Sequence, residues 1–145
     1  MIPRLGEPVR RNTRYTLRPG AYAVLERDGK VLLTHQSFPV PEFQLPGGGI
    51  DPGEQIVPAL HREIREETGW RVGPLRRGGA FRRFAYMPEY DLWAEKLCHV
   101  FMGRPTLRMG PPSEPNHVAM WVLPQIAIEL VGNDGDQYFL QRLFG

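Results

Sequence analysis

Three glutamates lie close together in one short stretch of the chain, at positions 63, 66 and 67. Glu63 precedes Glu66 by three residues and Glu67 by four, and on a helix both spacings place side chains next to each other. Like charges at these spacings destabilise a helix by roughly 0.2 to 0.5 kcal/mol per pair. Converging carboxylates are hard oxygen ligands of the kind that Mg²⁺ and Mn²⁺ prefer. The cluster therefore suggests a divalent-cation site, although this spacing taken alone more often marks an acidic surface in solvent.

A glycine-rich segment, residues 47–49, comes shortly before the acidic stretch. Glycine backbone can approach a ligand closely, so its carbonyl groups could bind a metal ion and its amide groups a phosphate. The density of glycine and proline over residues 46–53 predicts irregular structure for this segment. Because Glu54 and the three later glutamates follow at short distances, the combination predicts a site for a cation and a diphosphate.

A helix over residues 55–68 is predicted to carry the glutamates. Pro58 is acceptable only in the first turn, which indicates where this helix begins. Gly69 stands where a left-handed residue is expected to end it. An apolar stripe on the same helix should face the core, and it consists of Val57, Leu60 and Ile64, with Ile56 at its margin.

Strand patterns and turns occupy most of the remaining chain. Asp28 and Gly29 separate two apolar runs, which is a strong hairpin signal. Residues 1–18 are basic and are expected to form an arm or an edge strand, and residues 109–116 contain three prolines and should form a loop. Further strands are expected at residues 70–75, 79–86, 95–102 and 119–123, and helices at 124–130 and 134–143. Strands on both sides of a central helix predict a mixed sheet covered by helices.

The composition restricts the kind of protein. The chain has 145 residues and a formal net charge of +2, a balance too mild to indicate nucleic-acid binding. Cys98 is the only cysteine, so no disulfide can form within the chain and a reducing compartment is expected. No apolar run approaches the ~20 residues that span a bilayer. We therefore expect a cytoplasmic protein without a membrane partner, forming one domain over residues 1–145.

The glycines and acids together form a known pattern. Gly48, five residues, Glu54, seven residues and then the run Arg-Glu-Ile-Arg-Glu-Glu-Thr-Gly-Trp at 62–70 resembles the Nudix box of the MutT-like Nudix hydrolases. Trp70 stands where the family usually has an aliphatic residue, and it remains apolar. The preceding residues 43–48 and the later pair Trp121-Val122 also look similar to the family. The resemblance implies a Nudix fold, an α/β/α sandwich with a mixed β-sheet.

The resemblance also implies a reaction, the hydrolysis of a diphosphate linkage in a nucleoside diphosphate derivative. By the family pattern, Glu63, Glu66 and Glu67 would hold Mg²⁺ or Mn²⁺ with help from the backbone carbonyl of Gly47. The base that activates water would be a glutamate of the box or an acid from a later loop, for which Glu114 is the first candidate. Three other acids compete with Glu114, namely Glu89, Asp91 and Glu95. Arg62 and Glu54 would brace the loop against the helix.

The substrate is left open among ADP-ribose, dinucleoside polyphosphates and (deoxy)nucleoside triphosphates. Tyr86 and Pro88 lie 16 and 18 residues past the box, and by resemblance they point to different substrate classes. Arg82 or Arg83 could meet a phosphate, but on a strand only one of the two can face a pocket. Two alternatives are an RNA 5′-pyrophosphohydrolase, with nucleic acid disfavoured by the mild charge, and a Nudix-fold sensor that binds a nucleotide without cleaving it. The family is also compatible with a homodimer.

Overall fold

The computed structural model describes the whole chain, residues 1–145. Nine strands and three helices follow one another: β1 (Thr16–Arg27), β2 (Lys30–Gln36), β3 (Glu42–Gln44), β4 (Gly47–Gly49), α1 (Ile56–Thr68), β5 (Trp70–Val72), β6 (Arg76–Met87), β7 (Leu92–Gly103), β8 (Pro105–Arg108), β9 (His117–Val122), α2 (Pro124–Leu130) and α3 (Asp134–Phe144). None of the three helices is long and apolar enough to cross a membrane.

Seven of the strands form one mixed sheet around β1. β1 runs parallel to β7 along ten residue pairs, from Thr16 opposite Ala94 to Leu25 opposite Gly103. All other pairs are antiparallel: β6 lies beyond β7, β2 and β4 pair with β1, and β3 and β9 pair with β2. β5 and β8 form a separate two-stranded sheet. The mixed sheet predicted from the sequence is therefore confirmed.

Helices cover both faces of the sheet, because successive residues of a strand point to opposite sides. On β1, Val24 packs in a cluster with Ile128 of α2 and Leu140 of α3. The neighbouring Leu25 packs on the opposite face with Leu60 of α1. Each cluster is almost entirely apolar, so burial of both faces stabilises the arrangement at roughly 25 cal/mol per Å² of apolar surface. The expected α/β/α sandwich is thus confirmed.

The predicted bounds of α1 hold to within one residue. Its first helical residue is Ile56, with Gln55 as the N-cap, and Gly69 ends it with φ of 78° while its N–H donates to the carbonyl of Arg65. The predicted apolar stripe is wrong at Val57, which is 37% exposed. Ile56 contacts the core instead, because the first turn of α1 presents this residue to the sheet.

Two other expectations need correction. Residues 47–49 are not irregular: they form β4, which pairs with residues 20–22 of β1. Glycine is required there because a Cβ on Gly47 would lie 2.1 Å from the carbonyl oxygen of Ala21. The basic N-terminal segment is an arm only as far as residue 15, since β1 begins at Thr16 and lies inside the sheet, not at its edge. The arm itself runs along β6, where Leu5 donates to the carbonyl of Arg82.

Candidate active site

Arg62 of α1 holds the acidic residues of the helix in a network. Its Nη1 lies 2.9 Å from Oε1 of Glu66 and 3.5 Å from Oε1 of Glu63, and its Nη2 lies 3.1 Å from Oε2 of Glu54. The hydrogen bond to Glu66 is the main reason why the pKa of Arg62 is raised. The side chain of Glu54 accepts a hydrogen bond from the Asp51 N–H, three residues earlier, and this bond lowers the pKa of Glu54. One arginine cannot neutralise three carboxylates, so an excess of negative charge remains.

Glu67 is the most buried of these acids. Only 4% of the residue is exposed, and its Oε1 accepts a hydrogen bond of 3.1 Å from the Gly47 N–H. Burial raises the pKa of Glu67 well above its ordinary value, and the carboxylates of Glu63, Glu114 and Glu66 raise it further, whereas the Gly47 hydrogen bond opposes them. A buried carboxylate that faces other carboxylates needs a positive charge if it is to remain ionised.

Glu63 points towards the glycine strand β4. Burial also raises the pKa of Glu63, and Arg62 opposes that effect. A Cβ added to Gly48 would lie 2.9 Å from the carboxyl carbon of Glu63, which is closer than real side chains approach. Gly48 is therefore needed for space: it leaves room for the Glu63 carboxylate between α1 and the sheet.

The proline-containing loop brings Glu114 to the same cluster. The N–H groups of Ser113 and Glu114 both donate to the carbonyl of Glu66, at 2.8 and 2.9 Å, and Met109 donates to the carbonyl of Gly69. The loop is thereby tied across the end of α1, and the charge of Glu114 acts on both Glu63 and Glu67. This proximity arises although Glu114 lies 47 residues beyond Glu67 in the chain.

The carboxylates of this cluster are ligands that a hard divalent cation prefers, but they do not converge on one point. No three acidic, histidine or cysteine side chains converge closely enough to form a complete ligand set. Two hydrogen bonds hold these carboxylates in other directions: Arg62 donates to Glu66, and the Gly47 N–H donates to Glu67. Carboxylate side chains that carry unneutralised charge and lie beside a glycine strand nevertheless fit Mg²⁺ or Mn²⁺, which bind few protein carboxylates and retain waters.

His117 is a residue of this site that the sequence pattern did not indicate. Its Nε2 lies 3.5 Å from Oε2 of Glu67, and its Nδ1 lies 3.1 Å from the carbonyl oxygen of Pro115. The position of His117 depends on the pairing of β9 with β2, where it stands opposite Gln36. A lone histidine at the start of a short strand carries no local signal of that contact.

A cleft of about 350 Å³ opens beside the acidic cluster. Its walls include Gly47, Gly48, Glu67 and His117. Of the residues predicted from the sequence, Arg83 and Tyr86 also line it, together with the alternative base Glu89. The cleft is thus acidic beside α1 and carries basic and aromatic groups along β6.

Arg82 does not line this cleft. Its guanidinium lies 3.6 Å from Glu95 on the neighbouring strand, and its backbone pairs with the N-terminal arm. Tyr86 donates a hydrogen bond from its hydroxyl to Asp91, which raises the pKa of Tyr86. Both Asp91 and Glu95 are therefore engaged with residues of β6, whereas the charge of Glu114 acts on Glu63 and Glu67.

A domain profile matches most of this chain, whereas two curated relatives match about half of it or less. The profile of the NUDIX domain matches residues 15–143. A Bacillus subtilis (strain 168) protein, whose name provisionally describes it as an 8-oxo-dGTP diphosphatase, is 34% identical over 74 residues, which are 51% of this chain and 50% of that protein. The nucleoside triphosphatase NudI of Escherichia coli O1:K1 is 45% identical over 51 residues, 32% of this chain and 36% of NudI. The chain therefore spans half or less of the length of these relatives.

Solved structures share the fold. A NUDIX hydrolase from Nitrosomonas europaea superposes with a TM-score of 0.71 at 21% identity, covering 88% of both chains. The MutT protein of Bacillus halodurans has the same TM-score and identity, covering 87% of this chain and 81% of its own. At these identities the likeness concerns the fold alone. Since the domain profile covers nearly the whole sequence, the chain belongs to the NUDIX domain family, as its Nudix box indicates.

Proposed function

We propose that the chain is a metal-dependent hydrolase that cleaves a diphosphate linkage in a nucleoside diphosphate derivative. The observation that carries this proposal is the nearly buried carboxylate of Glu67, which faces three further carboxylates and opens into the cleft. Such an arrangement is costly in a protein without a cation, because burial and like charges both disfavour the ionised form. When bound, Mg²⁺ or Mn²⁺ supplies the positive charge that these acids and a diphosphate require.

Glu63, Glu66 and Glu67 would hold the cation, with the backbone carbonyl of Gly47 beside them. Two of these acids have other partners in the structure, because Glu66 accepts from Arg62 and Glu67 accepts from the Gly47 N–H. The second oxygens also have neighbours, since Oε2 of Glu66 lies 3.4 Å from Nη1 of Arg62 and Oε2 of Glu67 lies 3.5 Å from Nε2 of His117. A carboxylate has about four lone-pair sites, so each can keep these partners and still offer a ligand atom. Arg62 then orients Glu66, and the glycine strand orients Glu67.

Glu114 would take the proton from the attacking water. Its loop is hydrogen-bonded to the end of α1, and its charge acts on Glu63 and Glu67, so it lies beside the proposed cation site. Asp91 and Glu95 are engaged with Tyr86 and Arg82, whereas Glu89 lines the cleft without such a partner. We favour Glu114 over Glu89 because the backbone of Glu114 is hydrogen-bonded to α1. The contribution of a positioned base is typically a factor of roughly 10² to 10⁴ in rate.

Among the substrate types that the sequence leaves open, a (deoxy)nucleoside triphosphate is favoured. The two curated relatives carry names that refer to an 8-oxo-deoxynucleoside triphosphate and to nucleoside triphosphates. ADP-ribose and dinucleoside polyphosphates are the alternatives within the same chemistry. We place the reaction in the cytoplasm, because the single cysteine, Cys98, is a buried free thiol and needs no oxidising compartment.

A panel assay tests this proposal. The purified chain is incubated with Mg²⁺ and, separately, deoxynucleoside triphosphates, ADP-ribose, diadenosine polyphosphates and RNA with a 5′-triphosphate. We expect release of a nucleoside monophosphate from a triphosphate, and no release when EDTA removes the metal. Turnover of the RNA alone would favour an RNA 5′-pyrophosphohydrolase. Nucleotide binding without turnover of any substrate would contradict an enzymatic role and favour a sensor.

A further inference from the structure

Two basic side chains stand opposite each other on the wall of the cleft away from α1. Arg83 of β6 and Lys96 of β7 are direct partners in the antiparallel ladder, and both line the cleft. Like charges directly opposite each other on neighbouring strands destabilise a sheet. A pair of this kind, facing a cleft and not open solvent, requires an explanation.

Lys96 has no counter-ion of its own. It takes part in none of the seven ion pairs of the structure, whereas Arg83 lies 4.0 Å from Glu42 of β3. Burial lowers the pKa of Lys96, and Arg83 lowers it further, although Glu42 and Glu89 oppose this. The surroundings therefore leave the ammonium only partly compensated.

Two of the acids near this pair are already engaged, whereas Glu89 lines the cleft without pairing with Lys96. Glu42 accepts a hydrogen bond from the side chain of Asn133 and is the only carboxylate within 4.0 Å of Arg83. Asp136 of α3 accepts from the buried N–H of Leu45. An external anion would therefore meet an ammonium group that still has free hydrogen-bond donors.

The use of lysine at this position is unusual for the chain. Its sequence contains 16 arginines but only two lysines, Lys30 and Lys96. Lysine presents a compact, strongly hydrated charge with three donors, which suits a phosphate as a point charge, whereas arginine offers a planar fork. The opposed pair thus combines both kinds of phosphate-binding group.

The basic pair and the acidic cluster are neighbours in the same cleft. Tyr22 also lines this cleft. Its pKa is raised mainly by burial and further by Cys98, Asp136 and Glu67, whereas Arg83 lowers it. Because Glu67, Arg83 and Lys96 line the same cleft of about 350 Å³, a substrate bound beside Glu67 can extend towards Lys96.

We propose that Arg83 and Lys96 form an anion subsite that binds a phosphate beyond the diphosphate handled at the acidic cluster. This inference rests on the proposed function and narrows it, because the substrate must then carry three or more consecutive phosphates. ADP-ribose, whose diphosphate is its only anionic group, would leave the subsite empty.

Selective acetylation of lysine tests the subsite without any turnover. The chain in EDTA is treated with limiting acetic anhydride, with and without inorganic triphosphate, and the modification of Lys96 and Lys30 is measured by peptide mass spectrometry. We expect protection of Lys96 by about tenfold when the anion is present at ten times its Kd, while exposed Lys30 serves as the control in the same molecule. Equal protection of both lysines, or of neither, would overturn the inference even if the enzyme proved active.

Kinetics then test the substrate class. Lys96→Met should lower kcat/KM for a deoxynucleoside triphosphate by about tenfold to a hundredfold, because a hydrogen-bonded charge is lost, and Lys96→Arg should restore part of it. The corresponding nucleoside diphosphate should be a poor substrate, and Lys96→Met should change its kcat/KM by less than about twofold. Lys30→Met is the matched control and should behave as the wild type. An equal loss for triphosphate and diphosphate would show that Lys96 does not hold a third phosphate.

Discussion

The cleft has two walls, and each gathers like charges that repel one another. The acidic wall comes from one helix, where Glu63, Glu66 and Glu67 lie within five residues and Glu67 lines the cleft. The basic wall comes from two strands, since Arg83 and Lys96 are 13 residues apart and meet only through the register of β6 and β7. The first cluster is visible in helical spacing, whereas the second arises from strand pairing. The comparison shows that a charge cluster can be built locally or by topology, and that only the local kind is evident from spacing.

The walls also differ in how their charge is compensated. Arg62 reaches Glu63 and Glu66 of the acidic wall, yet Glu67 remains buried against uncompensated carboxylates. On the basic wall, Glu42 approaches Arg83 at 4.0 Å and leaves Lys96 without a partner. We infer that a cation completes the first wall and a substrate phosphate completes the second.

The largest effect is expected from Glu67→Gln on the acidic wall. Glutamine keeps an oxygen that can accept from the Gly47 N–H, so the fold should persist, but the ligand charge is lost. Since a metal ion contributes several kcal/mol of charge stabilisation, kcat should fall by about a thousandfold. Steady-state kinetics with Mg²⁺ measure this, and Glu129→Gln, an exposed acid of α2, is the matched control. Near-normal activity of Glu67→Gln would refute the assignment of the acidic wall.

Asp136 provides a buried acid near the basic wall for comparison. Burial raises its pKa to about 6 from 3.8, so the native state holds the proton more tightly than the unfolded chain. The stabilisation from this proton is complete below about pH 4 and is lost as the pH rises through about 6, with a total on the order of 3 kcal/mol. The free energy of unfolding of the wild type should therefore fall between pH 4 and 7. In Asp136→Asn this fall should be smaller by up to about 3 kcal/mol.

Urea unfolding at several pH values measures the effect of Asp136→Asn. The control is Asp134→Asn, which changes an exposed acid in the same first turn of α3. A pH dependence of Asp136→Asn equal to that of the wild type would show that this carboxyl titrates normally in the folded protein.

Local signals predicted much of the fold correctly. Pro58 and Gly69 placed α1 to within one residue, and the Asp28-Gly29 pair placed the hairpin of β1 and β2. The glycine strand β4 was missed because its pairing with β1 depends on close backbone approach, not on side-chain pattern. Strand β8 was also missed, because four residues beginning with a proline carry almost no periodicity.

The candidate site was predictable to the same extent. The glutamates of α1 and the preceding glycines were predicted as a site from their spacing, and Glu114 was predicted as a candidate base from the resemblance to the Nudix family. Lys96 and His117 were not identified, since a single basic residue on a strand gives no sign of what lies across from it. Arg83, and not Arg82, lines the cleft, because Arg83 shares a face of β6 with Phe81, which packs with Phe139 of α3.

A smaller effect is expected from Gly48→Ala, which disturbs the acidic wall without removing a charge. The new Cβ would lie 2.9 Å from the carboxyl group of Glu63, so this flexible side chain must shift. Misplacement of a catalytic group by about 1 Å can cost up to roughly a hundredfold in rate, and we expect a loss of about tenfold. Gly49→Ala is the matched control, because no atom lies within 4 Å of its added Cβ. If both variants lose the same activity, crowding of Glu63 is not the cause.

The central claim is that the acidic wall binds a divalent cation. Titration of the chain with Mn²⁺, followed by the electron paramagnetic resonance signal of the free ion, measures this directly and without substrate. We predict bound Mn²⁺ in the wild type and in Glu129→Gln, and strongly weakened binding in Glu63→Gln and Glu67→Gln. Absence of binding in the wild type, or unchanged affinity in Glu67→Gln, would contradict the account.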